Sequence, residues 1–299
     1  MHSGVSIPIT LIPGNSIIHR ANPLSKMIWV VGYLILAFFT RNPLVLGVLT
    51  IIGLLLVQVA HIWRGFLLVL RVLLPIGLML IVLQSIAPAF PRPWFTVVKL
   101  VGGLAIYREG IYSGLSLLLR ITSVTTIAML LIQTTHPSDL FTSLQKIGMP
   151  YVLNFIFTMT LQLIPILQQE FGIVLNAQKS RGLKGTGFGA VLPSMVPVFV
   201  GAIERVQQLS ISLESRAFGS QGIKTSYRDV AVTPKDYVIG ALGAIFTIAG
   251  AVWIGFNASA LDWSRTLVVS PIVALILVLG SFLGFFIFIA VVVRAILQA

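Results

Sequence analysis

The chain alternates long apolar runs with short polar breaks, and the runs have the length of membrane helices, which need about 20 apolar residues. Met27–Phe39 is apolar but only 13 residues long. The first span therefore has to recruit Ser25, Lys26 and Thr40 at its ends or thin the bilayer locally. Thr40-Arg41-Asn42-Pro43 breaks the run and Leu44–Ala60 follows, which predicts a tight turn between two antiparallel spans. Phe66–Ala87 is a third span with Pro75 inside it, and a membrane helix tolerates such a proline. Ile111–Gln133, Tyr237–Phe256 and Leu267–Ala295 complete a set of six. Between the third and fourth spans, Pro88, Pro91 and Pro93 open a mixed stretch that Tyr107-Arg108-Glu109-Gly110 closes. Its apolar part, Val97–Ile106, reads as an interfacial or re-entrant piece.

Residues 134–236 have a different texture. They hold six of the eight acids and nine of the twenty Lys and Arg, yet helical periodicity persists. Met195, Phe199, Ile203, Val206, Leu209 and Leu213 recur at spacings of three and four and form one apolar stripe. Tyr151–Lys179 is a second long helix, bent near Pro165, that would extend on the order of 40 Å. The region is too polar to lie wholly in lipid and too apolar to stand alone in water. Its helices are expected at the inner face of the membrane, partly embedded. The fold class that follows is all-α: a polytopic membrane protein of about six transmembrane helices plus long amphipathic cytoplasmic helices. It divides into an N-terminal membrane domain of four spans (1–133), a coupling-helix region (134–236) and two C-terminal spans (237–299).

Composition sharpens this picture. The hydrophobic fraction is 57% and the charged fraction 9%, against roughly 25% charged residues in a soluble domain. So few charges cannot cover a soluble surface. The formal net charge of +12 points to anionic lipid at the cytoplasmic side rather than to nucleic acid, because no basic run is interleaved with aromatics. Six spans put both termini on one side. Arg20, Lys26, Arg64, Arg71, Arg294 and the 134–236 region share that side, and Arg41, Arg92, Lys99, Arg108 and Arg265 share the other. The first set is larger, so both ends are expected in the cytoplasm. Residues 1–26 lack the small-residue cleavage site of a signal peptide. No cysteine is present, which excludes disulfides and thiolate metal sites.

Catalytic chemistry finds little to work with. The four histidines (His2, His19, His61, His136) are scattered without metal-ligand spacing. Gly182-Leu183-Lys184-Gly185-Thr186-Gly187 is glycine-rich but is no phosphate loop, and it reads as a connector. No cofactor is called for. A self-contained secondary permease would need polar groups around a cavity in the membrane, and Arg120, Gln84 and Gln133 are few for that purpose. Arg120 is a charge inside a span, which is costly unless compensated. Glu109 lies eleven residues away, about 16 Å along a helix, so Arg120 is expected to make a structural ion or carbonyl contact.

Two short sequences carry more information. Ala177-Gln178-Lys179-Ser180-Arg181-Gly182 and Leu213-Glu214-Ser215-Arg216-Ala217-Phe218-Gly219 each read as a helix that ends in arginine and breaks at or near glycine. Taken singly, either arginine could simply cap its helix, since the last carbonyls carry partial negative charge. Taken together they repeat Ser-Arg-small 35 positions apart, each on an amphipathic helix. A guanidinium is suited to bidentate contacts across an interface.

These two runs resemble the paired "Ala-Arg-Gly" signatures of the transmembrane T component of energy-coupling factor transporters, the cobalt and vitamin transport permease family. Asn22-Pro23-Leu24-Ser25-Lys26 is similar to the family's opening "Asp-Pro-Arg-Thr-Lys", and Tyr107-Arg108-Glu109-Gly110 to the stretch before its middle span. Thr134-Thr135-His136-Pro137 is similar to its "Thr-Thr-x-Pro" entry to the cytoplasmic helices. Serine stands for the first alanine in both signatures. Ala217 stands for a glycine, which leaves Gly219 as the alternative terminator, because alanine enters the left-handed region only at a cost. The resemblance implies a non-catalytic scaffold in the plasma membrane of a prokaryote. It would dock two ATP-binding cassette ATPases through Ser180, Arg181, Gly182, Ser215, Arg216 and Ala217. It would then couple their ATP hydrolysis to reorientation of a small substrate-capture membrane subunit that imports a vitamin or metal ion.

Overall fold

Two Asn-Pro pairs start the first long helices of the computed structural model. After a single turn, α1 (Ile17–Arg20), helix α2 runs Pro23–Phe39 and α3 Pro43–Ala60. Asn22 Oδ1 accepts from the Leu24 N–H at 2.9 Å, and Asn42 Oδ1 from the Leu44 N–H at 2.7 Å. Each asparagine is thus an N-cap, and the following proline fills the first helical position, where a missing N–H is harmless. Helix α4 (Trp63–Ile86) continues through Pro75. A short antiparallel pair, β1 (Thr96–Lys99) and β2 (Ala105–Tyr107), then leads into α5 (Arg108–Thr134). The remaining helices are α6 (Pro137–Lys146), α7 (Tyr151–Ser180), α8 (Phe188–Ser215), α9 (Pro234–Phe256) and α10 (Pro271–Leu297). The structure describes residues 14, 16–89, 95–99, 105–182, 188–220, 233–257 and 270–297. The leader reading of 1–13, the connector 183–187 and the charges Arg92 and Arg265 lie outside them.

The fold is all-α and polytopic, and among the described residues six helices are long and apolar enough to cross a membrane. The set differs by one member from the sequence expectation. Tyr151–Ser180 belongs to it, whereas α2, at 17 residues, remains the short apolar helix. The stretch expected to be interfacial or re-entrant forms the β1–β2 pair, with Val98 opposite Ile106, Lys99 opposite Ala105 and a bulge between Thr96 and Val98. The β-branched Val97, Val98 and Ile106 favour extended backbone.

The chain divides into two compact units, Met1–His136 with Ala231–Ala299, and Pro137–Val230. In the first, α5 is the central helix, packed by α2, α3 and α4, while α9 lies on α2 and α10 on α4. Val30, Tyr33, Leu36, Ala37, Leu46, Leu49, Ile127 and Ile254 form its main apolar cluster. Helices α4 and α5 approach closely at Gly110, where a Cβ would overlap the Gln84 carbonyl oxygen and lie 2.7 Å from Ser85 Cα. Small residues allow such approaches between membrane helices.

At one end of this unit the Asn22–Lys26 run ties three helix ends together. Lys26 is 6% exposed, and its Nζ donates to the carbonyls of His19 (3.3 Å) and Thr134 (3.0 Å) and to Thr135 Oγ1 (3.2 Å). Asp236 completes the knot from α9. Its carboxylate accepts from the Asn22 N–H at 3.2 Å, and its carbonyl accepts from Ser25 Oγ at 2.8 Å. The same carboxylate closes a capping box with Thr233 at the start of α9.

Candidate functional site

The second unit presents both Ser-Arg sequences at helix C-termini. Helix α7 ends at Ser180, and Arg181 is its C-cap, with its N–H shared between the Ala177 and Gln178 carbonyls at 3.1 Å. Gly182 then turns left-handed at φ +92° and donates its N–H to Lys179 O. Helix α8 ends the same way. Arg216 follows Ser215, Ala217 is left-handed at φ +54°, the Ala217 N–H donates to Glu214 O, and the Phe218 N–H reaches back to Leu213 O, both at 2.9 Å. This last pair of bonds is a Schellman closure. Both serines turn back on their own helices: Ser180 Oγ donates to Asn176 O at 3.1 Å and Ser215 Oγ to Ser212 O at 2.9 Å.

Alanine therefore occupies the left-handed position itself, and Gly219, also at positive φ, terminates nothing on its own. The closure is held from outside the helix. Phe218 packs its ring on Phe155 (4.5 Å between centroids) and Tyr151 (5.7 Å) of α7. Replacing Ala217 by glycine is expected to stabilise this helix end by about 1 kcal/mol, because glycine enters the left-handed region without the Cβ penalty. Thermal unfolding of the purified variant checks this, and a lower melting point would show the turn to be held some other way.

The ring contacts also fix how the two arginines are distributed. The end of α8 lies against the beginning of α7, so the two helices run antiparallel. Glu170 of α7 and Arg205 of α8 form an ion pair between them, and Arg181 and Arg216 each lie eleven residues beyond their helix's member of that pair. Arg181 and Arg216 consequently stand at opposite ends of the crossed pair, on the order of 35 Å apart at 1.5 Å per residue. Both are exposed, and among the described residues neither guanidinium makes an ion pair or a hydrogen bond. Much of the apolar surface of these helices is also uncovered within the unit. Phe199, Ile203 and Val206 of the predicted stripe are exposed, α7 buries no residue, and Ile173 is 69% exposed.

Arg120 belongs to the first unit and is not part of this arrangement. Its Nε donates to Ala37 O at 3.0 Å and one Nη to Thr40 O at 2.5 Å. The suggested partner Glu109 is engaged elsewhere, accepting from the Phe95 N–H at 3.0 Å and pairing with Arg108 at 3.4 Å. Position along the helix explains the difference: the C-terminal carbonyls of α2 are beside Arg120, whereas Glu109 is about three turns away on the same helix. Sequence reasoning missed two polar ties, the Asp236 knot and the Glu170–Arg205 pair. The first was legible in Thr-Pro-x-Asp as a capping box; the second had no sequence signal.

The family model of CbiQ, described as cobalt transport protein, matches residues 14–227. The chain belongs to the CbiQ family. It is similar to proteins named energy-coupling factor transporter transmembrane protein EcfT. With that of Staphylococcus aureus it shares 29% identity over 241 residues, 76% of this chain and 89% of the relative. With that of Brevibacillus brevis it shares 26% over 256 residues, 81% and 96% respectively, and with that of Bacillus subtilis 27% over 245 residues, 75% and 89%. Membership of this family and six apolar helices make the chain a multi-pass membrane component of a transporter.

Proposed function

We propose that this CbiQ-family protein is the scaffold of an energy-coupling factor importer. It docks two ATPase subunits at Arg181 and Arg216, and it passes their closure to a small substrate-capture subunit through α7 and α8. The observation that carries this reading is the pair of matching C-caps. Two exposed guanidinium groups stand at opposite ends of one crossed helix pair, each on the same local turn, with no intramolecular partner among the described residues. One long lever with a grip at each end suits two copies of a motor that move relative to each other.

The uncovered apolar faces of α7 and α8 supply the second contact. Their exposed Ile, Val and Phe side chains suit burial against another apolar helical protein, and Met159 and Met195 suit a surface that repacks. Docking to cytosolic ATPases requires the tips of α7 and α8, and with them both chain termini, on the cytoplasmic side. The scaffold itself performs no catalysis in this reading, and the substrate, a vitamin or metal ion, is chosen by the capture subunit.

Reconstitution tests the assignment. The chain is placed in vesicles alone, with ATPase subunits, and with ATPases plus a capture subunit. ATP-dependent uptake is expected only in the third set. Uptake by the chain alone would replace the scaffold by a self-contained permease.

A further inference from the structure

Helices α7 and α8 repeat each other at an interval of 35 residues, and the repeat extends beyond their Ser-Arg ends. Ser180 and Arg181 correspond to Ser215 and Arg216. At the same interval stand Glu170 and Arg205, which are also the two members of the ion pair. In an antiparallel pair, a residue that contacts its own counterpart lies on the twofold axis relating the two helices. Arg181 and Arg216, each eleven residues further on, are then equidistant from that axis. The rest of the register agrees. Thirteen residues beyond Arg205, Phe218 meets Phe155, which lies fifteen residues before Glu170. A perfect twofold would place identical charges on the axis, and these would repel. Glutamate opposite arginine is the pairing that a broken twofold allows.

The surroundings give the pair a task. Half-buried positions of α8 on either side of Arg205 include Val198, Ala202, Leu209 and Leu213, and those flanking Glu170 in α7 include Leu167 and Val174. Apolar residues spaced by three and four can slide by one turn and meet equivalent residues again. Such a slip moves one helix tip about 5 Å relative to the other. A polar pair in an apolar seam fixes register, because a slip separates the partners. Ile166, Ile173, Ile203 and Val206 are exposed on the same helices within a turn or so of the pair. A partner covering them would exclude water, strengthen the attraction and penalise any arrangement that leaves one charge alone. Exposed ion pairs add little to stability, so the value of this one lies in placement. Pro165, Pro193 and Pro197 all precede the pair in their helices. The arms 171–180 and 206–215, which lead to the arginines, contain no proline and are stiff.

We propose that Glu170 and Arg205 are positioning residues of the scaffold. Their ion pair pins the register of α7 against α8 and so sets the separation and the equivalence of Arg181 and Arg216. The arrangement suits two chains of the same fold related by a twofold axis, each taking one arginine. For its consequence in transport this rests on the scaffold reading, but the pin itself is a property of the isolated chain. The Phe218 ring contacts and the ion pair attach α8 to α7 at two points, and two points fix a direction. Without the pair, α8 is held at the ring contacts and its tip-to-tip relation to α7 loosens.

The chain has no cysteine, so Lys179→Cys and Glu214→Cys place two spin labels without further changes. Both positions are exposed and stand nine residues beyond the pair, on the order of 30 Å apart. The label distance is measured on the full chain in nanodiscs, without ATPases. Four backgrounds are compared: wild type, Glu170→Gln, Arg205→Gln, and the exchange of Glu170→Arg with Arg205→Glu. Wild type is expected to give one narrow distribution. Each single replacement should broaden it or add a population displaced by about 5 Å, one helical turn, and the exchange should restore it. Unaltered distances in Glu170→Gln, which keeps the side-chain shape, overturn the pin. Broadening that the exchange does not reverse also overturns it, by tracing the effect to packing rather than charge. A second arm reconstitutes the unlabelled chains with ATPases and a capture subunit and reads uptake per ATP hydrolysed. It should fall severalfold in the single variants and recover in the exchange. Altered distances with wild-type uptake overturn the positioning role. Failure of the scaffold reading shows separately, as normal ATPase assembly when Arg181 and Arg216 are both replaced, whatever the label distances.

Discussion

Replacing Arg181 and Arg216 together by alanine is expected to reduce ATP-driven uptake to background while leaving the protein folded in the membrane. Both side chains are exposed and make no partner contact among the described residues, so the isolated chain loses only a favourable charge at each helix end, a few tenths of a kcal/mol. An arginine anchored in a partner's groove contributes far more, about 2 kcal/mol, or roughly thirtyfold in affinity. The two sites are on the order of 35 Å apart, too far to couple directly, so their effects should combine to about a thousandfold. Each single variant is expected to weaken ATPase association partially. Lysine at either position should restore little, because an ammonium cannot reproduce a bidentate fork. Co-purification of the ATPases and uptake in vesicles are the two readouts. A double variant that assembles and transports like wild type would sink the docking role and leave both arginines as simple helix caps.

The second large effect is structural. Lys26→Met is expected to destabilise the first unit by about 3 kcal/mol, because the methionine keeps the volume but abandons the Thr134 carbonyl and Thr135 hydroxyl in a buried site. For a chain of this size that corresponds to a fall in melting point on the order of 5–10 °C. Arginine at position 26 should recover part of the loss if its longer side chain can be accommodated. A melting point for Lys26→Met within about one degree of wild type would show that the helix ends are held by packing alone. The prediction is also specific in place: Arg20, exposed on the neighbouring turn, should tolerate neutralisation.

The two regions differed in how readable they were. Apolar run length located α3, α4, α5, α9 and α10 to within a few residues, because a lipid-facing helix must be apolar on nearly every side and cannot hide that in its sequence. It trimmed α2 to Met27–Phe39, although the helix begins at Pro23. The polar Ser25 and Lys26, which the short apolar run had to recruit or do without, lie inside the helix, buried against α9 and the end of α5. The β1–β2 pair escaped because a short run with three prolines before it and glycines within it fits several backbone paths equally well. The two Ser-Arg sequences were legible as helix ends, since Ser-Arg-Gly and Ser-Arg-Ala-Phe-Gly carry their own stop signals. Which residue turned left-handed in the second was not. Ala217 does so because the rings of Tyr151 and Phe155 capture Phe218, a contact across sixty residues that no local pattern encodes.

By itself the sequence determined that this is a helical membrane protein with two arginine-ended amphipathic helices. Those properties follow from solvent and backbone chemistry acting within one helix at a time. Tertiary structure decided that α7 and α8 run antiparallel, so that the arginines stand at opposite ends of one lever. It also decided that Arg120 answers to the carbonyls of α2 rather than to Glu109. Each of these depends on which segments become neighbours, and that is set by packing among surfaces far apart in the chain.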